Sequence, residues 1–145
     1  MKNDIGIDEL KEKVYKKRKD LPRYAVYFTH EISIRIVWFM RNLDISPNWI
    51  TAFTILLGVL ASGFFTLMSP FAYLMGAFIL ETYYVFDAVD GQYARFKNKA
   101  SVTGAYFDYI SNHIVHSLVF LGMGIGLYRL SSLNLFLFAG FLASW

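Results

Sequence analysis

From Pro47 to Met68 the chain carries no charged residue, and about twenty apolar residues in a row are what a helix needs to cross the hydrocarbon core of a bilayer. That run directs the fold towards the membrane. The composition agrees, with 56% hydrophobic residues, 19% aromatic residues and a positive mean hydropathy of +0.40, too apolar for an ordinary soluble domain of this size. Ser46-Pro47-Asn48 starts the helix with a capping residue and a proline at the first helical position. Ser69-Pro70 repeats the signal, so a second helix, Phe71 to Arg95, must return antiparallel. Arg95, Lys97 and Lys99 then mark a short basic loop, and a third helix runs from about Val102 to Leu127. The apolar run from Leu133 to Trp145 is too short for a full crossing and reads as a fourth helix cut short.

Ten of the 14 basic residues precede Pro47, so the net charge of +3 reflects membrane topology rather than a nucleic-acid patch. The N-terminal arm and the Arg95–Lys99 loop fall on one side after two crossings, and the positive-inside tendency makes that side cytoplasmic. With no cysteine, disulfides and thiolate chemistry are excluded. The charged N-terminus is unlike a secretory signal. The expected fold is all-α: a solvated, charged cytoplasmic arm over residues 1–21, an interfacial amphipathic helix over 22–46, and a multi-pass transmembrane helical bundle over 47–145, incomplete at its C-terminus. In the interfacial segment Ile32, Ile36, Phe39, Met40 and Leu43 share one side, Arg35, Arg41 and Asn42 the other, with Tyr24, Tyr27 and Trp38 at headgroup depth.

Within the second helix, Asp87, Asp90, Gly91 and Ala94 stand at offsets zero, three, four and seven, placing two carboxylates and two nearly bare backbone patches on one face. Gly104, Asp108, Asn112 and His116 repeat at steps of four in the third. An acidic side chain at the centre of a spanning helix costs about 2.5–3.5 kcal/mol, and three together repel one another. A divalent cation resolves both problems, and carboxylate oxygens suit Mg2+ or Mn2+. Pairing with Arg95, Lys97 or Lys99 is the structural alternative, but it assigns no role to the glycines and Ala94. A cation transporter segment is an alternative of another class.

The run Asp87-x2-Asp90-Gly91-x2-Ala94-Arg95-x8-Gly104-x3-Asp108 resembles the signature of the CDP-alcohol phosphotransferases, membrane enzymes of phospholipid synthesis, and Pro47-Asn48-x2-Thr51 is similar to a second element of that family. The resemblance implies a six-helix membrane bundle, usually a homodimer, that moves a phosphatidyl or phospho-alcohol group from a CDP-linked donor to a small hydroxyl acceptor and releases CMP. It implies that Asp87, Asp90 and Asp108 hold two Mg2+ or Mn2+ ions. Gly91, Ala94 and Gly104 would admit the nucleotide close to the helix backbones, and Asn48, Thr51, Arg95 and Ser101 would contact its polar parts. In such an arrangement positioning, charge stabilisation and one base suffice.

The family signature ends on a further aspartate, proposed there as the base, where this chain has Asn112. An amide cannot accept a proton at useful pH, which leaves an inactive relative that binds CDP-lipid, or a base elsewhere. His116, one turn further along the same face, is the best surrogate, while His113 points about a hundred degrees away. Polar packing is the plainer role for both histidines. Gly122-x3-Gly126 suits either dimerisation or close helix packing, with packing favoured, and Glu81 supports the site or pairs with another helix.

Overall fold

A computed structural model describes residues 6–14, 28–67 and 69–144; Tyr24, Tyr27 and most of the charged arm lie outside them. The described residues form six helices, α1 (Ile7–Val14), α2 (His30–Met40), α3 (Pro47–Phe65), α4 (Pro70–Phe96), α5 (Val102–Ser131) and α6 (Asn134–Ala143). Both Ser-Pro pairs do what their chemistry dictates: Ser46 and Ser69 are extended, and each proline opens a helix where its missing N–H is no loss. At the start of α5 the Ser101 hydroxyl accepts the Gly104 N–H at 3.0 Å, closing the first turn.

Helices α3 and α5 are long and apolar enough to cross a membrane, and only 28% of the apolar window of each is buried inside the chain. The rest, including Phe53, Leu56 and Leu60 of α3 and Ile114 and Phe120 of α5, faces outward. A water-soluble core helix would bury such side chains, so the surface suits lipid. Helix α4 is long enough but carries Glu81, Asp87, Asp90 and Arg95.

α3 is the central helix of the three: it packs against both α4 and α5, antiparallel to the first and parallel to the second. In lipid, where apolar burial drives little association, close backbone approach holds helices together. A glycine seam provides it here. A Cβ on Gly122 would stand 2.5 Å from the Ser62 carbonyl oxygen, and one on Gly126 would stand 2.2 Å from that of Phe65. Thus Gly122 and Gly126 serve packing of α5 on α3, reinforced by the Ser62 hydroxyl donating to the Leu118 carbonyl at 2.6 Å. Gly58 opens the space that Val115 fills, and Gly124 meets Gly140 where α6 folds back on α5.

Two apolar clusters bracket the acidic residues along α3 and α4. One joins Leu10, Val14, Ile34, Val37, Ile50, Val89, Tyr93 and Phe96; the other joins Ala61, Phe65, Tyr83, Val115 and Val119. The first corrects the expectation of a wholly solvated arm. Asp8, Glu9, Glu12 and Lys13 are exposed, but Leu10 and Val14 are each only 1% exposed, pressed against α2 and α4, and Lys11 pairs with Glu31 of α2 at 2.6 Å. The interfacial segment also differs from a one-sided amphipathic helix. Ile32, Phe39 and Leu43 face outward, whereas Ser33, Ile34 and Val37 are buried. Ser33 can be buried because its hydroxyl accepts from Gln92 Nε2 at 2.8 Å and donates to the His30 carbonyl, satisfying the polar atom that burial would otherwise penalise. Arg41 lies over the Trp38 ring at 4.0 Å, a cation–π contact suited to the membrane interface.

Candidate functional site

Between the two clusters, α3, α4 and α5 enclose a narrow cleft lined by Thr51, Thr54, Ile55, Tyr83, Asp87, Asp90, Asp108, Ser111, Asn112 and Val115. Three carboxylates expected from two separate helical faces therefore meet in one place. The spacing explains why: residues three and four apart on α4 and α5 present one side of each helix, and the seam below them fixes α5 against α3. The cleft is narrow, and Thr51, Asp87, Asp108 and Asn112 remain only half-buried along it.

The acids divide into two groups. Asp90, only 8% exposed, accepts the Thr51 hydroxyl at 2.5 Å. Asp87 lies within hydrogen-bonding reach of Asp108 and of Asn112, and the Tyr83 hydroxyl donates to Asn112 Oδ1. With its oxygen engaged by the phenol, the Asn112 amide has only its NH2 to offer the neighbouring Asp87 carboxylate. Because Asp90 turns to Thr51 while Asp87 turns to Asp108, no three acidic or histidine side chains among the described residues form a group drawn together around an ion.

Arg95 follows on the next turn of α4. Its Nε donates to the Val14 carbonyl at 2.9 Å, and its Nη1 lies 3.3 Å from where a Gly91 Cβ would stand. A side chain at position 91 would crowd the guanidinium, whose positive charge also acts on Asp108. Ala94 is half-buried beside it. Asn48 is exposed on the first turn of α3, and Ser101 and Gly104 are exposed at the start of α5, where they bond each other. None of Asn48, Ala94, Ser101 and Gly104 lines the cleft.

His116 also stands outside the lining. Its Nε2 lies 3.3 Å from the Tyr84 hydroxyl, and its ring is flanked by Tyr83 and Tyr84 at centroid distances of 6.3 and 6.0 Å. His113 points outward against the Tyr109 ring at 4.5 Å. Thr54, Tyr83 and Ser111 line the cleft without having been singled out from the sequence. Each was reachable by helical spacing, three residues after Thr51, four before Asp87 and three after Asp108. The hydroxyls of Thr54 and Ser111 donate to carbonyls of their own helices, so Tyr83 is the polar addition that joins one helix to another.

An acidic cleft between lipid-facing helices defines a membrane protein whose polar chemistry sits among its helices. A family model described as CDP-alcohol phosphatidyltransferase matches residues 44–144, well over half of the chain, and the chain belongs to that family. No match to an individual curated protein was found.

Proposed function

We propose that this chain is a metal-dependent membrane transferase that moves a phosphatidyl or related phospho-alcohol group from a CDP-linked donor to a small hydroxyl acceptor, releasing CMP. The observation that supports it best is the convergence of Asp87, Asp90 and Asp108 on one cleft within the family-matched span. α4 crosses the bilayer in this reading, antiparallel to α3 and α5. The N-terminus and the cleft's Arg95 end then face the cytoplasm, in keeping with the basic arm and the Arg95–Lys99 loop.

The donor set fits a hard divalent cation: three carboxylates, all oxygen ligands and no sulfur, of the kind Mg2+ and Mn2+ take. Asp87, Asp90 and Asp108 would hold the ions. When bound, such cations neutralise pyrophosphate charge and stabilise a departing phosphate. Arg95 adds a guanidinium to the diphosphate, and Gly91 keeps the α4 backbone bare where that guanidinium folds back. Thr51 orients Asp90, and Asn112, held by Tyr83, orients Asp87. Ala94 and Gly104 would let the nucleotide lie close to the helix backbones, and Asn48 and Ser101 would meet its polar parts. The acceptor's hydroxyl oxygen attacks the phosphorus that carries the alcohol group. The bond from that phosphorus to the CMP oxygen breaks, and CMP leaves as the anion. The hydroxyl proton passes to His116, which Tyr84 holds one turn beyond Asn112 on the same face of α5.

A second reading has its own support. Asn112 stands where the family carries its base, its oxygen is engaged by the Tyr83 hydroxyl, and His116 lies outside the cleft lining. A relative that binds CDP-lipid without turnover matches that arrangement. The two separate in bilayer nanodiscs supplied with Mg2+ or Mn2+. Both should bind CDP; only the transferase should release CMP when CDP-diacylglycerol is offered with inositol, inositol phosphate, glycerol phosphate, serine, choline or ethanolamine, and His116→Gln should abolish that release while CDP binding persists. Absence of metal-dependent CDP binding would refute both and favour a cation-handling membrane segment.

A further inference from the structure

The N-terminal helix α1 meets the proposed nucleotide site through the Val14 carbonyl, which accepts Arg95 Nε at 2.9 Å. That contact is direct, carbonyl oxygen to guanidinium Nε–H. Arginine has about 2 kcal/mol of side-chain entropy to lose when it is ordered, and its guanidinium is planar. Holding Nε while Nη1 rests above Gly91 therefore fixes both the plane and the direction of the group.

The other contacts of α1 keep that carbonyl in place. Leu10 and Val14 are buried against Ile34, Val37, Val89, Tyr93 and Phe96. Lys11 bridges to Glu31 of α2 at 2.6 Å, and the Lys13 ammonium stands 5.6 Å from the centre of the Phe96 ring. None of residues 7–14 belongs to the span matched by the family, 44–144. The arginine is a motif residue of the matched span, but its brace comes from outside it.

We propose that α1 is a positioning element for the phosphate-binding arginine: docked on α2 and α4, it presets Arg95 for the diphosphate of a cytidine nucleotide. The proposal rests on the reading that Arg95 meets that diphosphate.

The test is a double-mutant cycle on the full chain in nanodiscs, reading the Kd of CDP with Mg2+ present. Leu10→Ser with Val14→Ser undocks α1, and the Kd should rise about ten-fold, the scale of one lost charge-assisted hydrogen bond. In an Arg95→Lys background the same pair of substitutions should change the Kd less than two-fold, since the brace then has nothing to hold. A milder route leaves the apolar contacts intact. Glu31→Lys sets two ammonium groups against each other and should weaken CDP binding about three-fold, and adding Lys11→Glu should restore it. Equal losses in the native and Arg95→Lys backgrounds would mean that α1 merely supports the fold, and unchanged CDP affinity on undocking would likewise overturn the proposal. A native chain that fails to bind CDP at all would sink the underlying reading and this inference with it, a result visible before any variant is made.

Discussion

Replacing Asn112 with aspartate restores the residue expected at the end of the family signature, and the geometry predicts a change of sign with metal. In the native chain the Asn112 NH2, left over once its oxygen accepts from Tyr83, is the neutral donor beside Asp87, whose carboxyl also neighbours Asp108. Asn112→Asp removes that donor, and a hydrogen bond to a charged group is worth about 1.5–3 kcal/mol. It also sets another carboxylate beside Asp87. Two like charges about 4 Å apart repel by about 4 kcal/mol at the effective dielectric of roughly 20 that suits protein sites. Tyr83 can still donate to either side chain, so nothing on α4 offsets the change. Even where one carboxyl keeps its proton and so reduces the repulsion, the variant without divalent cations should melt about 10 °C or more below the native chain, at about 2–4 °C per kcal/mol for a protein of this size. With millimolar Mn2+ the added carboxylate becomes a ligand, and the variant should gain more from the metal than the native chain does. Thermal unfolding by intrinsic fluorescence in nanodiscs, with EDTA and then with Mn2+, measures both. Equal melting of the two chains in EDTA would refute the donor role of Asn112, and an equal response to Mn2+ would refute the ion site. CMP release adds a separate readout: a rise in the variant means that the native chain lacks its base, whereas robust native release left unchanged or lowered assigns the proton to another residue such as His116.

Three further outcomes follow from particular contacts. Thr51→Val removes the donor that holds Asp90 and should lower stability by about 1.5–3 kcal/mol and weaken Mn2+ binding, checked by thermal unfolding and metal titration. Tyr83→Phe keeps the ring in its apolar cluster but releases the Asn112 amide; it should lower stability by about 1 kcal/mol while weakening Mg2+-dependent CDP binding several-fold, and equal CDP affinity in variant and native chain would sink the orienting role. Gly126→Ala drives a methyl into the Phe65 carbonyl and should cost about 1–3 kcal/mol, whereas Gly63→Ala on the same helix pair, where nothing lies within 4 Å, should be tolerated, as parallel melting curves would show.

The helical starts were legible because serine followed by proline leaves the backbone few choices, and both helices begin where that chemistry puts them. The acidic faces were legible for a geometric reason: a helix converts intervals of three and four into a shared side, so Asp87, Asp90 and Asp108 could be expected together before any coordinates. The brace on Arg95 was not, because its acceptor is a backbone carbonyl 81 residues earlier in the chain, and backbone atoms leave no mark on a sequence. The buried side of α2 was hidden for a similar reason. Ser33 interrupts the apolar pattern there, and its partner Gln92 lies 59 residues away. The division of the carboxylates into a Thr51 group and an Asp108–Asn112 group depends on rotamers, which spacing does not determine.

The glycine seam has a mechanical consequence for how anything enters the cleft. Along Gly122 and Gly126 the α5 backbone comes up against carbonyls of α3, so that half of the pair behaves like the sprung end of a clothes-peg. The opposite end of α5 is unclasped: from Val102 to Phe107 every residue is exposed. The narrow cleft lies beside this loosely held end, so widening it there would disturb fewer contacts than parting the seam.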